Sequence, residues 1–196
     1  MTKYKIIDNF LSDSDFTELT NYVLPISMDL NVKPSPSFGW DYNGKSLPIG
    51  YDEEDRFNKV TNIEILNPIN DWYLSHVVQL QSFHSQAMRY FVPLLSKINP
   101  IALWKIQANL TVQQEKRGRS LFHIDYEGKT SMSTSIFYMN TTNGPTILED
   151  GTEIECRANR LVSYPSSTYH AGVACTDQPY RIVINFNYFK DLEFST

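Results

Sequence analysis

The chain has 196 residues, 41% of them hydrophobic and 13% aromatic, which is material for one ordinary globular domain and excludes the charge-rich, aromatic-poor class that stays disordered. Lys and Arg number 17 against 22 Asp and Glu, a formal charge of −5, so a broad basic footprint for nucleic acid is disfavoured. The opening Met1-Thr2-Lys3-Tyr4-Lys5-Ile6-Ile7-Asp8 has no apolar signal core and no window holds ~18 uncharged apolar residues, so a soluble, cytoplasmic protein with no membrane partner is expected.

In chain order, 3–10 reads as a short strand, and Ser12 or Asp13 can cap a helix that runs to about Val23 and is closed by Pro25. The segment 31–56 carries Pro34, Pro36, Gly39, Gly44, Pro48 and Gly50 among Trp40, Tyr42 and Tyr51; it reads as a functional loop or lid, with a packed wrap as the alternative. Residues 71–98 repeat apolar side chains at three- and four-residue steps, which predicts one long amphipathic helix. His76 and His84 would share a side of it and, lacking a third ligand, read as packed or solvated.

Beyond Pro100 the period changes to alternation. Strands are predicted at 102–112, 120–124, 132–140, 146–148, 160–164, 169–173 and 180–189, separated by turn formers such as Asn143-Gly144-Pro145 and Thr176-Asp177-Gln178-Pro179. This density of short strands predicts a mainly β sandwich or jelly roll at 101–190, with the helical part of 1–100 supporting one face and the whole of 1–196 forming a single domain. In the last strand Ile182, Ile184 and Phe186 share the face that would meet the helices, while Arg181, Val183, Asn185 and Asn187 share the face toward a semi-polar cavity. Glu115-Lys116-Arg117-Gly118-Arg119 is locally basic, keeps a nucleic-acid contact open, and reads first as a solvated hairpin tip. Cys156 and Cys175 lack metal or disulfide spacing and read as packed, reduced thiols.

His123-Ile124-Asp125 places an imidazole and a carboxylate at i and i+2, the same face of a strand and within reach of one ion. His170 lies on a later strand that a jelly roll can return alongside that pair. Two histidines and one carboxylate make a facial triad with one side of an octahedron open, the pattern of non-haem Fe(II) oxygenases; a structural zinc site would be closed by a fourth protein ligand. Arg181 opens the next strand on the cavity side, and a guanidinium fork in a semi-apolar cavity calls for an anion such as a carboxylate.

With these residues in view, the chain resembles the 2-oxoglutarate- and Fe(II)-dependent oxygenases, most closely their prolyl-hydroxylase-like branch. The resemblance runs over about 102–189, on His123-Ile124-Asp125, Tyr138-Met139-Asn140, Arg160-Leu161-Val162-Ser163-Tyr164-Pro165 leading to His170, and Arg181-Ile182-Val183-Ile184-Asn185-Phe186-Asn187-Tyr188-Phe189. It implies a double-stranded β-helix in which His123, Asp125 and His170 hold Fe(II), Arg181 binds the distal carboxylate of 2-oxoglutarate, and Tyr138, on the strand after the first histidine, also meets the cosubstrate. The activity implied is hydroxylation of a C–H bond with O2, releasing succinate and CO2, with ascorbate as an accessory. A peptidyl, prolyl-type substrate is favoured over a small molecule, and nucleic acid is disfavoured. Two departures stand out: the family's usual Gly-Gly is Gly144-Pro145-Thr146 here, and its tyrosine ahead of the first histidine is absent. Asn109 and Thr111, which share a strand face, are the candidates for that tyrosine's place, and Thr146 is a further cosubstrate candidate. The rival readings are a cupin-like zinc or manganese enzyme of hydrolytic or isomerising chemistry, which leaves Arg181 without a task, and a binding module that keeps the fold without turnover.

Overall fold

In the computed structural model of the chain, residues 3–24, 38, 41–43, 60–65, 73–80, 83–126 and 132–190 are described. The elements run β1 (Lys5–Ile7), α1 (Asp13–Val23), β2 (Asp41–Asn43), β3 (Tyr73–Leu80), β4 (Phe83–His84), α2 (Met88–Ile98), β5 (Ala102–Val112), β6 (Met132–Tyr138), β7 (Thr142–Leu148), β8 (Glu153–Cys156), β9 (Arg160–Pro165), β10 (His170–Gly172) and β11 (Tyr180–Phe189). An eight-stranded sheet has the order β1-β9-β6-β11-β5-β3-β2, with β4 paired to β3, and a three-stranded sheet has the order β10-β7-β8. The smaller sheet is widened by the irregular 119–123 segment, through antiparallel bridges Arg119↔Val173 and His123↔His170. The result is a jelly roll of two antiparallel sheets, as the alternation beyond Pro100 predicts.

Each face of the large sheet has its own core. Outside, Ile182, Ile184 and Phe186 of β11, all 0% exposed, pack with Ile106, Ala108 and Leu110 of β5 against Leu19 and Val23 of α1 and Phe91, Leu94 and Ile98 of α2. The two helices meet where Tyr22 stacks on Tyr90 at a ring separation of 3.6 Å. Inside, Ile136, Tyr138, Val162, Tyr164 and Val183 of the large sheet meet Leu148, Ile154 and Cys156 of the small one. Both cysteines are free and buried, as the sequence predicts.

Helix α1 begins where Ser12 accepts a hydrogen bond from the Asp15 amide (3.2 Å), with Asp13 and Asp15 against the positive end of the helix dipole. Its entry is fixed by Asn159, itself in the left-handed region (φ 59), whose side chain accepts from the Leu11 amide (2.8 Å) and donates to the Leu11 carbonyl (3.0 Å).

The helix predicted over 71–98 is not one element. Its first part is strand β3 and the short β4, and only Met88–Ile98 is helical. β3 pairs with β5 with a register shift between Val77 and Gln79, and the inserted residue lets apolar side chains recur at three- and four-residue steps on a strand, imitating a helix. His76 and His84 therefore do not share a helix side: His76 hydrogen-bonds Ser85 (3.1 Å) and lies on the Phe38 ring, and the His84 backbone pairs with Gln79. Of the predicted 31–56 loop, only Phe38 and β2 are described, β2 as an edge strand on β3; the rest lies outside the described residues. Strand β8, absent from the sequence reading, follows the Asp150-Gly151 turn, where Gly151 takes φ 85.

Arg119 departs from the solvated hairpin tip expected of 115–119. It is 2% exposed, donates to the carbonyls of Ile63 (3.1 Å) and Ser120 (3.3 Å), and covers the Phe122 ring, pinning the 60–65 segment to the stretch that leads into His123, which is irregular with isolated bridges where a strand over 120–124 is predicted. Arg117 keeps the expected exposed character, 3.6 Å from Glu153.

Candidate metal centre

The backbone sets the spacing of the two histidines. The His123 amide donates to the His170 carbonyl and the His170 amide to the His123 carbonyl, both at 3.0 Å, so the residues form a hydrogen-bonded antiparallel pair with imidazoles side by side at 4.5 Å. Nδ1 of His123 lies 3.1 Å from the Leu121 carbonyl and Nδ1 of His170 lies 3.3 Å from the Thr168 carbonyl. A carbonyl only accepts, so each ring is assigned its proton on Nδ1 and keeps the Nε2 lone pair for an ion. Both Nε2 atoms stand 3.8 Å from Oδ1 of Asp125, and the three donor atoms lie within 4.8 Å of one another. Asn187 donates to Oδ2 of Asp125 at 3.0 Å and to Thr134 at 3.0 Å, which turns Oδ1 toward the histidines.

The electrostatics match this donor set. Burial, with His123 beside it, pushes the His170 imidazole down to about 4, so it is neutral at pH 7. Burial raises the Asp125 carboxyl, but His170, His123, the Asn187 hydrogen bond and Lys105 outweigh it and hold the group below the usual Asp value. Two imidazole nitrogens and one carboxylate oxygen suit a first-row divalent metal.

On the same inner face, Arg181 is 5% exposed. Its Nε donates to the Gly144 carbonyl (2.7 Å) and Nη2 to Thr146 Oγ1 (3.0 Å), and Tyr138 donates to the same Thr146 oxygen at 2.8 Å. Burial pushes the Tyr138 phenol up to about 12 against the pull of Arg181 and Thr146, so it keeps its proton. The guanidinium has further N–H groups to give, and the two hydroxyls share one bond, leaving a second proton to donate. Among the described residues no carboxylate pairs with Arg181. A buried cation among surplus donors is a site for an anion.

Gly144 makes this arrangement possible. A Cβ there would meet the Val173 carbonyl oxygen at 2.4 Å, so only glycine allows β7 to run this close to 173–175 and lay its carbonyl on Arg181.

Neither a protein-family model nor a curated protein matches the chain. Solved structures do. A prolyl hydroxylase from Trichoplax adhaerens, in complex with a hypoxia inducible factor oxygen degradation domain peptide fragment, superposes with a TM-score of 0.59 at 18% identity, over 96% of this chain and 84% of that one. The non-heme alpha ketoglutarate dependent carbocyclase SnoK from nogalamycin biosynthesis superposes at 0.56 with 14% identity, over 95% and 79%. The epimerase SnoN, in complex with Fe3+, alpha ketoglutarate and nogalamycin RO, gives 0.56 with 10% identity, over 96% and 79%. The fold is that of the 2-oxoglutarate-dependent oxygenases.

Within this oxygenase fold, His123, Asp125 and His170 come together as one cluster and Arg181, Tyr138 and Thr146 as a second, while Thr111 and Asn109 stand opposite Arg181 and Val183 in the β5–β11 ladder, on the same inner face. The Thr111 hydroxyl faces the Arg181 backbone carbonyl at 3.5 Å, and Asn109 accepts from Gln107 at 2.7 Å. Sequence reasoning does not single out Asn187, Thr134 or Tyr164. Asn187 has a readable signal, its inward place in the alternation of β11. Thr134 and Tyr164 become notable only once β6 and β9 are seen to pair, with Thr134 opposite Tyr164. No described helix is long and apolar enough to cross a membrane.

Proposed function

We propose that this chain is a 2-oxoglutarate- and Fe(II)-dependent oxygenase that hydroxylates a C–H bond, with a peptidyl, prolyl-type residue as the favoured substrate. The observation that carries the reading is the pair of clusters on one inner wall: an open N,N,O donor set, and a buried Arg181 without a carboxylate partner among the described residues. A zinc or manganese hydrolase accounts for the first cluster and leaves the second idle. The peptide preference leans on the Trichoplax adhaerens prolyl hydroxylase, whose structure contains a peptide.

In this reading His123, Asp125 and His170 hold the iron, and Arg181, Tyr138 and Thr146 hold the distal carboxylate of 2-oxoglutarate. With O2, the loaded centre supplies an oxidative decarboxylation that releases succinate and CO2 and hydroxylates the bound substrate. The protein's own part is geometric. Asn187 and the Leu121 and Thr168 carbonyls aim the three ligands, while Gly144 and Thr146 hold the guanidinium at a fixed angle to the carboxylate it receives. Burial of Tyr138, Tyr164 and Val183 between the sheets excludes water from that path.

The test is an anaerobic titration of the Fe(II)-loaded protein with 2-oxoglutarate, followed by its metal-to-ligand absorption band. Substrate peptides are then screened for stimulated succinate formation. Saturable appearance of the band is expected; no binding at millimolar 2-oxoglutarate would overturn the reading.

A further inference from the structure

Three buried side-chain polar atoms lack a hydrogen-bond partner among the described residues: Thr20 Oγ1, Tyr164 OH and Asn185 Oδ1. Thr20 belongs to α1, on the outer side of the molecule. Tyr164 and Asn185 point inward: Tyr164 pairs in register with Thr134, the residue that meets Asp125 and Asn187, and Asn185 lies between Val183 and Asn187 on the cavity face of β11. Of these two, the phenol is the donor.

Tyr164 lies close to both clusters. Its ring lies 5.2 Å from that of His170, and Asp125, Tyr138 and Arg181 are all near enough to act on its hydroxyl. It is 0% exposed, and burial, followed by Asp125 and Tyr138, holds the phenol well above its ordinary value, so the proton is present to be donated. A phenylalanine would fill the same apolar pocket among Ile136, Leu148 and Val162 without burying an unmatched hydroxyl. A polar atom kept unmatched beside a candidate anion site and a candidate metal site is placed for a ligand that spans both.

We infer that Tyr164 is a cosubstrate-binding residue, whose hydroxyl donates a hydrogen bond to a carboxylate or oxo oxygen at the metal-side end of the bound 2-oxo acid. This rests on the oxygenase reading above. It adds a donor on β9, next to His170, to the candidates Asn109 and Thr111 on β5.

Tyr164→Phe tests it, because the change removes one oxygen atom. With Mn(II) in place of iron, calorimetric titration with 2-oxoglutarate should show affinity reduced about tenfold or more, the size expected for a hydrogen bond to a charged group, with Mn(II) affinity unchanged. The metal-free variant should melt at or above the wild-type midpoint, since no protein partner loses a bond; a purely structural tyrosine would lower that midpoint and leave 2-oxoglutarate affinity alone. If wild type binds 2-oxoglutarate and the variant binds it equally well, Tyr164 has no such role. Failure of the wild type itself to bind would remove the oxygenase reading and this role with it.

Discussion

The two faces of β11 are made of neighbouring residues and obey different rules. Its outer face presents Ile182, Ile184 and Phe186 to the helices, and contacts there are apolar and mutually replaceable. Its inner face presents Arg181, Asn185 and Asn187 with Val183; Asn187 has two donor contacts and Arg181 two, each with one acceptor and one direction. The outer face supplies stability in bulk and tolerates similar volumes, whereas the inner face supplies directions and tolerates little. One strand thus carries both the adhesion of the support layer and the geometry of the site, and substitutions on its two sides should fail in different ways.

The largest separation is expected from His170→Ala set beside Phe186→Ala. The first should lose metal binding by more than the roughly 10–100-fold typical of a lost outer partner, with the sheet signature in circular dichroism retained. The second should lower unfolding free energy by about 3–5 kcal/mol while metal stoichiometry stays at the wild-type value. Full metal occupancy in His170→Ala, or metal loss in folded Phe186→Ala, would erase the division between the faces.

Arg181→Ala sharpens the comparison within the inner face. Truncating one partner of a buried charged pair costs about 2–5 kcal/mol, so 2-oxoglutarate should bind at least tenfold more weakly. Fe(II) affinity should hold, because the guanidinium is bonded to Gly144 and Thr146 and not to the triad. Arg181→Lys should recover part of the loss, restoring charge without the fork. Unchanged 2-oxoglutarate affinity in Arg181→Ala would leave the second cluster without a ligand.

The smallest effect belongs to the rim, where Arg160 takes Asp8 in a two-point contact at 2.5 and 3.0 Å. The Arg160 hydrogen bond holds the Asp8 carboxyl below its ordinary 3.8. A lowered acid contributes stability above its unfolded value and loses it as pH falls through the folded one. Asp8 is half exposed, so the contribution should be under about 1 kcal/mol. Wild type should exceed Asp8→Asn by a constant margin from pH 7 to about 5 and lose that margin below the ordinary carboxyl value. Denaturant midpoints across that range would show it, and a margin undiminished at pH 2 would rule the ion pair out as its source.

Strands β5 and β11 were legible to the residue because runs of β-branched and apolar residues are bounded by turn formers. The cluster of His123, Asp125 and His170 was suggested by spacing alone: the stretch 123–125 is irregular and not a strand, and the three side chains meet because His123 bridges His170. β3 was not: its bulge changes the period from two to a mixture of three and four, and only the pairing with β5 reveals that the chain is extended there. The buried role of Arg119 was hidden for a different reason, since its partners Ile63 and Ser120 offer carbonyls, which leave no mark in a sequence. Tyr164 was hidden because a tyrosine in a strand is unremarkable until its hydroxyl is found unmatched.

The ladder pair between His123 and His170 makes the candidate metal site independent of any ion it holds. In small zinc modules the ion gathers ligands from a disordered chain, and binding is inseparable from folding. Here the two imidazoles are juxtaposed by a closed ring of backbone hydrogen bonds and their tautomers are set by neighbouring carbonyls. Little chain entropy remains to be lost on loading, so the affinity of the ion reflects coordination itself. Removal by a chelator should leave an intact socket, open to exchange of one divalent metal for another in a protein that never unfolds.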